Sequence, residues 1–389
     1  MRTLPSFGPC DLSSNRREFL RQVAGMGLLT ATKGMAPVGA QAFPMLPVSR
    51  RKAIVVTFGG GARDQETFAL EGQDNIPHLI SELLPQATFY SQVVNRGILG
   101  HYVATASLIT GAYERFNNFA DVAPEHPTIF EYVRRQLRRP PEDAWVIAPS
   151  NGFNRIGQST HPSFQKGSGY GAGVILPKRM LEALPAPHAT GLDHLLQDNY
   201  ETAFEAPHAQ FDAARLNAIE AVLKLSIVDF AAHACTLESP DELSVYLARR
   251  LMREVSPSLI WITLHDMDVA HAGAFSLYID AIQRTDRLCA EIWKAVEAEP
   301  EYNGKTNLFI MPDFGRDADT DAGGNGFQHH RTGSAMARTT WMVAMGPGIY
   351  QGKVVDRPIQ SVDLAPTIAT MFSCDAQFTA GKPIQEFTT

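Results

Sequence analysis

The sequence predicts an α/β protein: one doubly wound, mostly parallel sheet flanked by helices, in a single domain. Three observations predict it. Short apolar and β-branched runs recur at 53–58, 89–94, 145–148, 259–264, 308–311 and 341–345, with helical stretches between them. The run Ala53-Ile54-Val55-Val56-Thr57-Phe58 is continuous rather than alternating, as in a strand covered on both faces, and it stops at Gly59-Gly60-Gly61. No internal repeat or composition shift marks a domain boundary.

The elements follow in order. After the strand at 53–58, the spacing predicts a helix over 76–84 and a strand over 89–94. A helix of small residues at 102–110 is stopped by Gly111. The helix at 127–137 opens on a Pro and closes on Arg134, Arg135, Arg138 and Arg139, cations that suit a helix carboxyl end. A strand at 145–148 precedes a Gly-, Ser- and Asn-rich loop at 150–175. Helices are expected at 213–235 and 243–254, a strand at 259–264, a long helix at 275–298, and strands at 308–311 and 341–345. In such a sheet ligands bind beyond the carboxyl ends of the strands, which singles out the loops 59–67, 95–107, 265–273 and 313–332.

The chain has 389 residues and a formal net charge of −7. Residues 1–42 read as a twin-arginine signal peptide: Arg16-Arg17-Glu18-Phe19-Leu20, a modest apolar stretch from 23 to 32, and the small-residue end Ala40-Gln41-Ala42. The expectation is a periplasmic or secreted protein that engages the twin-arginine export machinery. Residues 43–389 form its domain. The first 42 residues hold five bases and two acids, so the remainder is near −10. That charge disfavours nucleic acid as a partner. No later apolar run approaches the roughly 20 residues of a membrane helix, so stable membrane insertion of the mature chain is not expected. Cys235, Cys289 and Cys374 are too few and too widely spaced for a disulfide framework or a zinc site. Cys235 and Cys289 lie in apolar helical patterns and are expected to be buried.

The chemistry collects at two strand ends. The loop after 259–264 reads His265-Asp266-Met267-Asp268-Val269-Ala270-His271. The loop after 308–311 reads Pro312-Asp313-Phe314-Gly315-Arg316 and continues to His329-His330-Arg331. Carboxylates and imidazoles converging from separate strand ends suit a divalent metal. Zinc or manganese is favoured, with calcium and magnesium left open. Arg316 and Arg331 are candidates to pair with a small anionic substrate.

These residues resemble the alkaline phosphatase and sulfatase superfamily, and within it an exported, sulfatase-like branch. Four segments carry the resemblance: the strand running into Gly59-Gly60-Gly61 and then Ile76-Pro77-His78-Leu79; Ser107-Leu108-Ile109-Thr110-Gly111-Ala112-Tyr113; Asp266 to His271 followed by Tyr278, Ile282 and Asp286; and Asp313-Phe314-Gly315, a later His, Gly346-Pro347-Gly348-Ile349 and Ser361-Val362-Asp363-Leu364-Ala365-Pro366-Thr367-Ile368. The resemblance implies an alkaline phosphatase-like fold and a metal-dependent hydrolase of a phosphate or sulfate ester. It implies one well-kept metal site on Asp268 or Asp266, His271, and His329 or His330. A second site would keep only Asp313, helped by Asp64 and His101.

Three positions depart from the family. Gly59 stands where a metal-binding Asp is usual. His101 stands where the Ser, Thr or Cys nucleophile is usual, with Thr105 and Ser107 as fallback hydroxyls. Phe314 replaces the His of Asp-His-Gly. The alternative expectation is therefore a catalytically degenerate member that binds an anionic ligand or a protein partner.

Overall fold

The computed structural model describes residues 47–149, 151–165, 169–184, 191–196, 213–321 and 323–387. The predicted signal peptide lies outside the described residues. Nine strands form one sheet: β1 (Lys52–Phe58), β2 (Ala87–Val94), β3 (Ala144–Ile147), β4 (Gly173–Ile175), β5 (Leu259–Thr263), β6 (Thr306–Pro312), β7 (Thr339–Met345), β8 (Lys353–Val355) and β9 (Ile359–Gln360). Their spatial order is β4-β3-β5-β1-β6-β7-β2-β8, with β9 also on β2. All pairings are parallel except those of β7 with β2 and with β6. The sheet is thus mostly parallel, and the carboxyl ends of β1, β2, β5 and β6 meet at one edge.

The pleat explains the two helical layers. In β1, Ile54, Val56 and Phe58 enter one apolar core, while Ala53 and Val55 enter the other. β5 and β6 divide the same way: Ile260, Ile262, Leu308 and Ile310 on one side, Leu259, Trp261, Phe309 and Met311 on the other. On the second side lie α1 (His101–Thr110), α2 (Ile129–Gln136) and α8 (Leu364–Met371). The first side is covered mainly by α3 (Pro177–Glu182), α4 (Ala213–Leu223), α5 (Ile227–Ala234), α6 (Pro240–Glu254) and α7 (Phe275–Ala298). Among the described residues, no helix is long and apolar enough to cross a membrane.

Several expectations are corrected. The stretch 76–84 makes a single wide turn, Leu79–Leu83, followed by the tight turn Leu84–Gln86; Pro85 supplies no N–H to continue a helix. The helix expected over 213–235 is two helices. Lys224 takes a left-handed φ of 47°, and the Ser226 side chain then accepts the Asp229 N–H at 3.1 Å and starts α5. α6 begins before 243, because Ser239 accepts the Glu242 N–H at 3.2 Å and Pro240 fits the first turn. The loop at 150–175 contains the turn Pro162–Gln165 and edge strand β4. Cys235 is exposed at the end of α5, whereas Cys289 and Cys374 are buried.

Candidate metal centre and its histidine neighbour

The site lies beyond β5 and begins with a clamp. The Asp241 carboxylate, in the first turn of α6, accepts the His265 N–H at 2.8 Å and the Asp266 N–H at 2.9 Å. The chain then runs as a 3₁₀ segment, Asp266–Ala272, closed by Gly273 at φ 84°. With three residues per turn, positions 268 and 271 fall on one side. His271 Nε2 stands 3.4 Å from Asp268 Oδ1.

The loop after β6 brings the third member. His330 Nε2 is 2.9 Å from His271 Nε2, and His330 Nδ1 donates to the Leu99 carbonyl at 2.6 Å. That bond puts the ring's lone pair on Nε2, facing the other two groups. Burial, with the nearby Arg316 charge, pushes the His330 imidazole down to about 3, so it is neutral in ordinary buffers. Asp268, His271 and His330 each offer a ligand atom, and these atoms lie within 4.8 Å of one another. Two imidazoles and a carboxylate are a donor set that zinc or manganese accepts.

Asp268 is held as an anion. Burial alone would raise its carboxyl, but the hydrogen bond with His271 and the charges of His265, Arg316 and His101 outweigh it and hold the group well below the usual carboxylate range. Arg316 is fully buried. Nη2 approaches Asp268 Oδ1 at 3.3 Å and the Met267 carbonyl at 3.1 Å, while Nε and Nη1 donate to the Gly61 and Phe327 carbonyls at 3.0 and 2.9 Å. The expectation that Arg316 meets an anionic substrate is therefore revised: its donors are used in holding three loops and Asp268 together. Arg331 is likewise engaged, by the Asp317 carboxylate and the Asp321 carbonyl.

The alternatives left open by the sequence resolve geometrically. Asp266 turns away and pairs with Arg284 at 2.8 Å. His329 is exposed on the outside of its loop, so the sequence neighbour that joins the group is His330. Asp64 is half-buried on the turn Asp64–Glu66 and stands outside the three-residue group. The Thr105 hydroxyl donates to the His101 carbonyl at 2.9 Å, one helical turn back. Ser107 does the same to Val103 at 2.8 Å.

Asp313 has a different environment. It is fully buried, and its Oδ2 accepts the Gly60 N–H at 3.2 Å and His101 Nδ1 at 2.6 Å, while Oδ1 accepts the Phe314 N–H at 3.0 Å. Asp313, Asp64 and His101 stand outside the group that could hold an ion, so the expectation of a second site on them is revised: Asp313 orients His101. The His101 ring stacks on His265 at 4.5 Å and meets Phe153 edge-on at 4.8 Å. Its Nε2 is buried and has no hydrogen-bond partner among the described residues.

The glycines at the end of β1 make this possible. A Cβ on Gly59 would lie 1.8 Å from the Leu264 carbonyl oxygen and 2.1 Å from His101 Cε1. The Leu264 carbonyl and the imidazole thus occupy the space that a side chain at 59 would need. Gly60, at φ 90°, would place a Cβ 2.7 Å from Asp268 Oδ1. The sequence reading missed Asp241, Leu99 and the packing role of His265. A lone Asp in a helix's first turn reads as a cap, and a backbone carbonyl leaves no sequence signal.

Beside Asp268 and His265 opens a cavity of about 340 Å³, also lined by Lys178, His194, Leu277 and Arg284.

No protein-family model matches this chain, and no curated protein matches it in sequence. Solved structures do match in fold. The lipoteichoic acid synthase LtaP from Listeria monocytogenes superposes with a TM-score of 0.52 at 11% identity, over 95% of this chain and 80% of that one. The phosphonate monoester hydrolase of Agrobacterium radiobacter gives 0.51 at 11% identity, over 86% and 76%. A mutant of the alkaline phosphatase PafA gives 0.50 at 11% identity, over 89% and 100%. The chain shares the fold of these three structures, an alkaline phosphatase among them.

Proposed function

We propose that this chain is an exported, metal-dependent hydrolase of a phosphate or sulfate ester, with one divalent ion, zinc or manganese, held by Asp268, His271 and His330. The observation that carries the proposal is the convergence of these three donor atoms at the carboxyl edge of the sheet. The names of the fold neighbours agree with ester chemistry: one is a phosphonate monoester hydrolase and another an alkaline phosphatase.

When bound, the ion supplies a Lewis acid for the ester oxygen. The chain's own groups supply the rest. Asp268 brings a full negative charge, which the buried Arg316 compensates in the metal-free protein. His330 brings a neutral ring whose orientation the Leu99 carbonyl sets. The cavity beside His265 and Asp268 has room for the alcohol half of a small ester. Export by the twin-arginine route, expected from residues 1–42, fits a protein loaded with its ion before crossing the membrane.

A second reading is a binder that has lost catalysis. It is favoured by one observation: the hydroxyls of Thr105 and Ser107 are bonded back into α1, so neither stands ready as a nucleophile. Elemental analysis of the exported protein, with assays on p-nitrophenyl phosphate and p-nitrophenyl sulfate, separates the readings. The hydrolase should carry about one equivalent of zinc or manganese per chain and turn over at least one ester. Bound metal without turnover would favour the binder, and a protein that takes up no metal would remove the proposal.

A further inference from the structure

We infer that the Asp313–His101 pair is the general base of this site, taking the proton of the attacking water at His101 Nε2. This rests on the hydrolase reading above and names a residue that the metal group does not include.

Asp313 Oδ2 accepts from His101 Nδ1 at 2.6 Å. In the neutral ring this leaves the lone pair on Nε2 and aligns a carboxylate to stabilise the imidazolium when Nε2 takes a proton. The pair is rigid. Asp313 is held by the Gly60 and Phe314 N–H groups, and the imidazole is packed between Phe153 and His265. Nε2 itself is buried and has no hydrogen-bond partner among the described residues. A buried polar atom left without a hydrogen bond is unfavourable, so the orphaned nitrogen calls for a partner that arrives with the reaction. The direction of that arrival is set by His265, which stacks on His101 while its own Nε2 lies 3.7 Å from Asp268 Oδ2. The orphaned nitrogen is thus one ring away from the metal group and the cavity that Asp268 and His265 line.

The burial of Nε2 also selects the role. A single water reaches such an atom more readily than a phosphorus or sulfur centre bearing three further oxygens. The step then balances as follows. Water gives a proton to Nε2, and its oxygen forms the new P–O or S–O bond. The leaving alcohol oxygen keeps the electron pair of the bond that breaks. The proton on Nε2 passes to that oxygen, and His101 returns to its neutral form. The products are the alcohol and phosphate or sulfate.

The test uses the full, exported, metal-loaded protein with p-nitrophenyl phosphate and p-nitrophenyl sulfate. His101→Ala and His101→Gln should each lose about 10²- to 10⁴-fold in kcat while keeping the wild-type metal content, which also reports that they fold. Free imidazole in the buffer should restore part of the His101→Ala rate. Asp313→Asn should lose activity with its metal content unchanged. Wild-type protein quenched during turnover should carry no added phosphoryl or sulfuryl mass. Full activity in both His101 variants overturns the inference. So does metal loss that parallels the rate loss, which would make His101 a ligand, or a covalent adduct on His101, which would make it a nucleophile. Wild-type protein that hydrolyses neither ester fails the hydrolase reading itself, and the base falls with it; turnover that survives without His101 fails the base alone.

Discussion

Asp268 and Asp313, in the loops that follow β5 and β6, are both buried, yet they have opposite fates. Asp268 is faced by ring nitrogens and a guanidinium: His271 at 3.4 Å, His265 at 3.7 Å and Arg316 at 3.3 Å. Asp313 is faced by two backbone N–H groups and the Nδ1 of His101. The first arrangement is a carboxylate grouped with two imidazole nitrogens, to which a cation can add in place of the proton they share. The second is a carboxylate that accepts three N–H donors and stands outside the three-residue group. What a buried aspartate can do is set less by its position at a strand end than by whether its neighbours are donors or fellow ligands.

The largest expected effect breaks the first half. Asp268→Ala should abolish metal binding and also destabilise the fold by about 3–5 kcal/mol, because Arg316 is left as an uncompensated buried cation. Thermal melting and metal content measure the two losses together. If the variant melts like the wild type, Arg316 does not depend on Asp268 and the account of its burial is wrong.

A smaller change separates binding from folding. His271 is partly exposed, so His271→Ala should lower metal affinity by more than about 100-fold while shifting the melting temperature little in metal-free protein. Asp313→Asn is the matching change in the other half, and its metal affinity should stay at the wild-type level. Equal losses in the two variants would erase the distinction between the halves.

Gly59→Ala probes what joins them. Its Cβ would meet both the Leu264 carbonyl oxygen and the His101 ring. The expected cost is about 1–3 kcal/mol by chemical denaturation. Adding His101→Ala should recover only a part, because the backbone of Leu264 remains. Full recovery would mean that the imidazole alone fixes the glycine.

Much of the frame was legible in the sequence. The continuous apolar runs of β1, β5 and β6 announced strands buried on both faces, and the loops at their carboxyl ends held the chemistry. The order of the motifs gave the fold class. What escaped was decided by single contacts. β8 and β9 are too short for a periodic signal. The break at Lys224 depends on one left-handed residue. In the site, the ligand types and spacing of the loop from Asp266 to His271 could be read, with Asp266 and Asp268 left as alternatives. The choice between His329 and His330 could not, since it turns on which ring finds the Leu99 carbonyl. The inward turn of Arg316 was equally invisible, because a cation in a site loop looks the same in sequence whether it faces solvent or an aspartate.

A third aspartate sharpens the comparison through pH. Asp241 is fully buried and, like Asp313, accepts backbone N–H groups, yet it has Asp266 rather than a cation as its charged neighbour. Burial, reinforced by the Asp266 charge and only partly opposed by those N–H bonds and His265, pushes its carboxyl up to about 8. The unfolded chain releases this proton near the ordinary aspartate value of about 4. Between the two values the native protein therefore holds a proton that the unfolded chain has given up. The stability that Asp241 contributes is complete at the acid end of this window and is lost as pH rises toward 8, by up to about 1.4 kcal/mol per pH unit. Denaturation of metal-free wild type and Asp241→Asn at several pH values between 4 and 8 reads the difference in slope, independent of any constant cost of the substitution. The wild type should lose more stability than the variant as pH rises. Parallel slopes would mean that the N–H groups of His265 and Asp266 keep Asp241 ionised throughout, and that donors alone can do for a buried carboxylate what Arg316 does for Asp268.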